Sequence, residues 1–278
     1  APPPATPPAT PPESPKSTTT AAALSPAMSA AKPPLACADP EITTTALDGG
    51  RMGLAIKAAC HKNEDVRLAY GGATFVHRLD GNGKLDLVLD CFAGDAKPAE
   101  LTFADNAPKS IPIVANDLAR VSKVAILWQA PVNLDLHAFE YAALAGQRGH
   151  IFAGTPGSAA AALKETEAGP RGRGFMSTAS DGKTSGDKVE VYTFFNRDDQ
   201  TTGAVDFAID DETRGDMPTA ANCTGGAEAE VPYRVSLLIR GKVAGTEKGR
   251  IGAAACGAAL SPAVRLARGA LPVLKARK

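Results

Sequence analysis

The feature that most constrains the fold is a series of short segments in which apolar and polar residues alternate. Val205, Phe207 and Ile209, for example, alternate with Asp206, Ala208 and Asp210. A period of two is typical of strands, because successive side chains of a strand point to opposite faces of its sheet. Such segments, separated by turn residues, recur along most of the chain after residue 37. They predict an all-β protein with two β-sandwich modules in tandem.

The first module is predicted at residues 37–104. Its strand-like segments are EITTTAL, MGLAIKA, DVRLAYGG, TFVHRL, KLDLVLD and AELTFA. Asp48-Gly49 predicts a two-residue hairpin turn between the first two segments, and residues 80–83 (DGNG) predict a hairpin turn between TFVHRL and KLDLVLD. Segments of this length at regular spacing favour a small β-sandwich.

Part of this module resembles a known family. The stretch VRLAYGGATFVHRLDGNGKLDLVLD is similar to the pattern G-x-x-F-x-x-x-x-D-x-x-G-x-L-x-L of transthyretin-like and carboxypeptidase-regulatory-like modules. Such modules are usually non-catalytic accessories. The resemblance therefore implies a β-sandwich without an active site at about residues 38–104.

The second module is predicted at residues 120–258, after a connector at 105–119. It holds seven further strand-like segments and a short helical insertion near 158–168, with Ser158 as N-cap. The stretch W-x-x-x-x-x-L-D-L-H-A-F, which begins at Trp128, resembles exported bacterial β-sandwich proteins of uncharacterised role. This chain has Asn133 where their first Asp stands.

The two ends of the chain have unusual compositions. Residues 1–36 are rich in Pro and Ala, and 11 of the 22 prolines fall within the first 34 residues. Such a segment cannot bury enough apolar surface to offset its ordering entropy, so we expect a disordered or extended spacer. Its first residue is Ala, as in a mature chain without its signal peptide. Residues 259–278 form a basic tail with interleaved apolar residues, which we expect to be solvated or docked on the protein itself; the alternative is contact with a membrane surface, an anionic polymer or a partner protein.

Five cysteines support an oxidising compartment. Counting outward from the Asp48-Gly49 turn brings Cys37 opposite Cys60, and Cys223 and Cys256 flank a second hairpin with its turn at Arg240-Gly241. We therefore predict the disulfides Cys37–Cys60 and Cys223–Cys256. Cys91 alternates in phase with the leucines of KLDLVLD, so we expect it to be buried and inert.

The densest group of chemically capable residues lies at 127–141 (LWQAPVNLDLHAFEY). The alternation predicts that Leu134 and Leu136 face the core, while Asn133, Asp135 and His137 share the opposite, solvent-facing side. His150 opens the next predicted strand and could lie beside Asp135 and His137.

This group has three interpretations. The first is a hydrogen-bonded polar pair on a strand face. The second is a metal-assisted hydrolase around Asp135, His137 and His150, with His137, His150 and Glu140 as the alternative metal ligands. The third is a carbohydrate or peptide surface that contains His137, Phe139 and Tyr141.

The net charge and the absence of certain motifs limit the classes of function that we expect for this chain. Thirty Lys and Arg residues balance thirty Asp and Glu residues, so no net charge attracts the chain to nucleic acid. No nucleophile elbow and no phosphate loop are present in the sequence. We expect a periplasmic or extracellular protein of interaction or assembly that needs no cofactor. Its expected partners are other envelope proteins or a cell-surface polymer.

Overall fold

The computed structural model describes residues 38–104, 107–129, 134–164, 171–180, 186–196, 203–210, 229–253 and 274–276. The predicted spacer at 1–36 lies outside these residues, as do Cys37, Asn133, Cys223, Cys256 and most of the tail at 259–278. Residues Cys37–Lys278 belong to one compact unit, and the following paragraphs concern its described part.

The described residues are mostly strands, as the alternation predicts. In chain order these are β1 (Glu41–Leu47), β2 (Arg51–Lys57), β3 (Asp65–Tyr70), β4 (Ala73–Arg78), β5 (Lys84–Asp90), β6 (Ala99–Thr102), β7 (Lys109–Ile111), β8 (Val121–Gln129), β9 (Asp135–Glu140), β10 (His150–Ile151), β11 (Gly174–Ser180), β12 (Asp187–Phe195), β13 (Gly203–Asp210), β14 (Ala229–Ile239), β15 (Lys242–Ala253) and β16 (Leu274–Ala276). A 3₁₀ turn (Leu118–Arg120) and the helix α1 (Ala159–Lys164) complete the secondary structure.

The strands form four antiparallel sheets. Two belong to the N-terminal part, in the orders β1-β2-β5 and β4-β3-β6-β7. The others are a five-stranded sheet, β11-β12-β8-β14-β15, and a four-stranded sheet, β10-β9-β13-β16. The prediction of an all-β fold is confirmed.

The five-stranded sheet is covered on both faces. Val124, Ile126 and Trp128 of β8 pack in one core with Leu136 of β9. The intervening side chains of β8, such as Ala125, pack in a second core. This second core also contains Met52, Leu68, Phe75 and Leu101 from the N-terminal sheets. The two predicted modules therefore share a core across the predicted connector at 105–119, which itself contributes β7 and the 3₁₀ turn.

The first hairpin differs from its prediction by one residue. Leu47 pairs with Arg51, so the loop holds three residues, Asp48, Gly49 and Gly50, and not two. Both glycines have positive φ, of 80° and 61°, a conformation that glycine adopts without steric cost. The register that we used to place Cys37 opposite Cys60 was therefore wrong by one residue.

The turn at residues 80–83 is also corrected. It does not close a hairpin, because β4 pairs with β3 while β5 pairs with β2 in another sheet. Asp80 accepts hydrogen bonds from the backbone N–H groups of Asn82 and Lys84, both at 2.8 Å. Asp80 thus shapes a crossover between two sheets, and these two bonds lower the pKa of its carboxyl group.

Two local predictions are confirmed. The second hairpin turns at Arg240-Gly241, since Ile239 pairs with Lys242, and both turn residues have positive φ. The helical insertion predicted near 158–168 is α1 over Ala159–Lys164, while residues 165–168 lie outside the described part of the chain. The hydroxyl of Ser158 accepts the N–H of Ala161 at 3.1 Å, as an N-cap does.

Candidate functional site

Strand β9 carries the residues that the sequence singles out. Leu134, Leu136 and Ala138 point into the core between the two C-terminal sheets, as predicted. The opposite side does not face solvent: Asp135 is 1% exposed and His137 is 7% exposed. The expectation of a solvent-facing polar side was wrong, because other side chains cover that face as well.

The structure brings Asp135, His137 and His150 together. His150 of β10 pairs with Phe139 of β9, which sets the two imidazoles side by side. Nδ1 of His137 lies 2.8 Å from Nε2 of His150. Nε2 of His137 lies 3.7 Å from Oδ2 of Asp135. Nδ1 of His150 accepts the backbone N–H of Gly146 at 3.0 Å. These contacts form one continuous row, which we call the His relay.

The hydrogen bonds of the His relay all run in one direction, from Gly146 through His150 to His137. Because Gly146 donates to Nδ1 of His150, that nitrogen carries no proton, and in the neutral ring the proton lies on Nε2. This proton is donated to Nδ1 of His137, so the remaining proton of His137 lies on Nε2 and points toward Asp135. Three of the four ring nitrogens thus take part in these hydrogen bonds, and Nε2 of His137 lies 3.7 Å from Oδ2 of Asp135, beyond hydrogen-bond distance.

Aromatic rings surround the relay. The planes of His137 and His150 differ by only 14°, with centroids 5.1 Å apart, as expected for rings joined edge to edge by a hydrogen bond. Phe152 lies nearly parallel to both imidazoles, with centroids 4.9 and 4.7 Å away. Phe139 lies parallel to His150 at 4.6 Å. The packed rings hold the relay in place and make it part of the protein interior.

This geometry does not favour a metal centre. The lone pair of Nδ1 of His137 is directed at His150, whereas a metal ligand must direct its lone pair at the ion. Glu140, the third residue of the alternative set, lies on the other face of β9. Among the described residues, no three side chains of His, Cys, Asp or Glu are grouped so that they could hold a metal ion.

Glu140 has a buried site of its own. Its Oε1 accepts the hydroxyl of Tyr192 at 2.7 Å, and its Oε2 accepts the backbone N–H groups of Gly172 and Arg173. Burial raises the pKa of the Glu140 carboxyl, and these hydrogen bonds oppose the rise. Burial, followed by the charge of Glu140, also raises the pKa of Tyr192. Glu140 thereby ties β9 to β12 and to the residues before β11.

Tyr141 does not join the predicted surface of His137 and Phe139. Its φ of 49° ends the alternation of β9, and its side chain packs against the core that holds Phe194. Phe139 is 3% exposed. The structure therefore places the rings of His137 and Phe139 in the interior, and the half-buried ring of Tyr141 beyond the end of β9 against the other core.

One buried charged network was missed by the sequence reasoning. The ammonium group of Lys123 is fully buried and donates to three oxygens, of Gly49 at 2.6 Å, Asp90 at 2.7 Å and Thr193 at 2.9 Å. The other carboxylate oxygen of Asp90 accepts the hydroxyl of Ser177 at 2.6 Å. The sequence does contain an indication of this network, because Lys123 directly precedes the apolar run VAILW within the strand VSKVAILWQ.

An open groove lies where the β3–β4 turn meets the five-stranded sheet. It encloses about 400 Å³. We call it the basic groove, and its lining includes Arg234, Lys248, Arg250, Asp187 and Gln129. Arg234 and Lys248 are direct cross-strand neighbours on β14 and β15. Like charges in such positions repel each other.

Known proteins provide no assignment for these sites. No protein-family model matches the sequence, and no curated protein matches it significantly. Among the described residues, no helix combines the length and the apolar character that a membrane crossing requires.

Cys91 is a free and fully buried thiol, as predicted. No disulfide joins two described residues, and Cys37, Cys223 and Cys256 lie outside them, so both pairings stay predictions.

Proposed function

We propose that this chain is an exported envelope protein that binds a partner without catalysing a reaction. Its ligand in this proposal is an anionic cell-surface polymer, and its binding surface is the basic groove. The observation that carries the proposal is the adjacency of Arg234, Lys248 and Arg250 along the open groove. The His relay, by contrast, is buried and its ring nitrogens are directed at one another or at neighbouring protein groups.

Charge complementarity supports an anionic ligand. Arg234 and Lys248 face each other across the β14–β15 ladder, and Arg250 lies two positions after Lys248 on the same side of β15. The acidic residue of the groove, Asp187, already accepts the N–H of Thr74 at 2.7 Å and the amide of Gln129 at 3.4 Å. Arg250 lies 3.3 Å from the Glu230 carboxylate and Arg234 donates to the Gly71 carbonyl at 3.0 Å. An anion placed between Arg234 and Lys248 would relieve the repulsion between these two cations.

The backbone of β14 has no free edge to which a peptide strand could be added, whereas β15 is an edge strand of the sheet. Over residues 233–238, β14 is paired with β8 on one side and with β15 on the other, so its backbone groups there are already hydrogen-bonded. A ligand in the groove therefore meets side chains. Cations two positions apart on one strand lie about 7 Å from each other. Such spacing suits regularly repeated carboxylate groups, which arginine recognises well.

Export is the second part of the proposal. It rests on the Pro- and Ala-rich segment at residues 1–36 and on the predicted disulfides Cys37–Cys60 and Cys223–Cys256. Disulfides persist in oxidising compartments such as the periplasm and the cell exterior. A polymer of the cell surface would be within reach of a protein located there.

The test is the binding of the full 278-residue chain to polygalacturonate, an acidic polysaccharide, with neutral dextran as the comparison. We expect the chain to bind polygalacturonate and not dextran, and we expect the affinity for polygalacturonate to fall as salt is added. Lys248→Glu and Arg250→Glu should each weaken it several-fold, because each reverses a charge at the groove. The matched control is Lys242→Glu, which changes an exposed lysine of β15 outside the groove lining.

Three results would contradict the proposal. Equal binding to dextran would show that charge is not recognised. Equal or tighter binding to polyglutamate would make a protein the better class of partner. The purified protein could instead contain stoichiometric zinc that His137→Ala and His150→Ala both lose. This result would support the alternative hypothesis of a metal-assisted hydrolase.

A further inference from the structure

A second cavity lies between the N-terminal sheets and the five-stranded sheet. It encloses about 140 Å³. Its inner wall is apolar, with Phe75, Leu89, Phe92, Val189 and Val191 all less than 5% exposed. A cavity of roughly 150 Å³ holds one benzene ring, so this space fits a single six-membered ring.

The cavity has one polar end, formed by Asp90 and Ser177. Asp90 is 8% exposed, and its two carboxylate oxygens accept hydrogen bonds from Lys123 and Ser177. Each carboxylate oxygen has two lone-pair positions, so both oxygens can accept one further hydrogen bond. A ligand that meets this end must therefore be a hydrogen-bond donor.

The charges at the cavity are of both signs, and the buried Asp90 carboxylate is already paired with Lys123, so they do not favour a charged ligand over a neutral one. The Asp90 carboxylate would repel an anion. The Lys123 ammonium group beside Asp90 would repel a cation, as would Arg51 at the cavity lining. Arg51 is held there by its hydrogen bond to the Asp48 carbonyl at 2.9 Å and by the ring of Phe175, 4.9 Å from its guanidinium carbon.

We propose that this cavity binds a neutral, phenol-like molecule: one aromatic ring with one hydrogen-bond donor. The ring contacts Phe75, Phe92 and Val191, and the donor group binds the Asp90 carboxylate. This site is separate from the basic groove, so it does not depend on the function proposed above.

The first experiment compares phenol with toluene on the full chain by calorimetric titration and by NMR shifts of the methyl groups of Val189 and Val191. The two probes are similar in size, and only phenol donates a hydrogen bond. We expect phenol to bind at least about tenfold more tightly, since a hydrogen bond to a charged acceptor is gained. Equal affinities, or shifts that leave Val189 and Val191 unchanged, would overturn the proposal.

The second experiment fills the cavity. Ala179 lies in its lining and is half-buried, so Ala179→Leu places three more carbon atoms there. We expect this variant to lose phenol binding at least tenfold while its melting temperature does not fall. Ala55→Leu, at an exposed position of β2, is the matched control and should bind phenol as the unchanged chain does.

The third variant tests the polar end without disturbing the charge pair. Ser177→Ala frees one acceptor position on Asp90, which the phenol hydroxyl can then occupy. We therefore expect Ser177→Ala to bind phenol at least as tightly as the unchanged chain. A loss of the preference for phenol over toluene in this variant would show that Asp90 does not recognise the ligand.

Discussion

Lys123 lies with its Nζ 2.7 Å from Oδ1 of Asp90, and both side chains are buried between sheets from the two predicted modules. The pair links β8 to β5, and Lys123 extends the link to the loop at Gly49. A buried charge that loses its partner destabilises a protein by about 3–5 kcal/mol.

Lys123→Met should therefore lower the free energy of unfolding by about 3–5 kcal/mol, measured by urea denaturation. Asp90→Asn should also destabilise, and the double mutant should lose less than the sum of the two single changes, because one interaction is shared. Lys84→Met, at an exposed position of β5, is the control and should stay within about 0.5 kcal/mol of the unchanged chain. A double mutant that loses as much stability as the two single mutants together would refute the energetic coupling between Lys123 and Asp90.

Leu136 and His137, neighbours on β9, are both buried, and Leu136 should contribute more to stability than His137. Leu136→Ala opens a cavity in the core and should cost about 2–5 kcal/mol. His137→Ala removes a buried hydrogen bond to His150 and the ring contacts with Phe139 and Phe152, and should cost about 1–3 kcal/mol. Melting curves with and without a chelator are the measurement. A chelator that destabilises the unchanged chain but not His137→Ala would contradict the structural role of the relay.

The titration of the Glu140 carboxyl should lower the free energy of unfolding as pH rises. Its folded-state pKa lies above the usual value of 4.5, so the folded state holds this proton more tightly than the unfolded state does. The resulting stabilisation is complete below the unfolded pKa and is lost as pH rises through the folded pKa. Glu140→Gln removes this titration.

The measurement is the difference in unfolding free energy between the unchanged chain and Glu140→Gln, followed upward from about pH 4. As pH rises, Glu140→Gln should become more stable relative to the unchanged chain, and the difference in unfolding free energy should then become constant. Glu100→Gln, at an exposed position of β6, should show no such trend. A flat profile for Glu140→Gln would contradict the raised pKa.

Cys91 should be the unreactive cysteine of the folded chain. Burial raises the pKa of its thiol to about 12, so very little thiolate forms at neutral pH. A maleimide reagent should label it only after unfolding. Non-reducing peptide mapping should find Cys37–Cys60 and Cys223–Cys256, each adding about 3–4 kcal/mol to stability. A Cys37–Cys91 link would contradict both parts.

The alternation of side chains was sufficient to locate most strands. The segments EITTTAL and KLDLVLD coincide with β1 and β5, and turn-forming residues flank β1 on both sides (Pro40 and Asp48) and precede β5 (Gly83). The same pattern could not assign partners. Pairing depends on contacts between residues far apart in sequence, which is why TFVHRL and KLDLVLD were joined in a hairpin although they lie in different sheets.

The site could be predicted only in part. Sequence spacing on β9 indicated that Asp135 and His137 share a face, and the position of His150 suggested that it lies nearby. Burial of that face could not be inferred, because a polar residue covered by a neighbouring element has the same spacing as a solvated one. Lys123 and Asp90 were missed for the same reason, since their partners come from distant strands.

The core shared across residues 105–119 has a consequence for dividing the chain. Asp117 accepts the N–H groups of Gly49 and Gly50 at 2.6 and 2.7 Å, and the ring of Phe175 lies against Gly49. A fragment that ends before residue 105 would lack these groups and would expose apolar surface. Two separately expressed halves would each carry the surface that the other requires. This architecture therefore suits split-protein complementation, in which the halves report their own encounter by folding together.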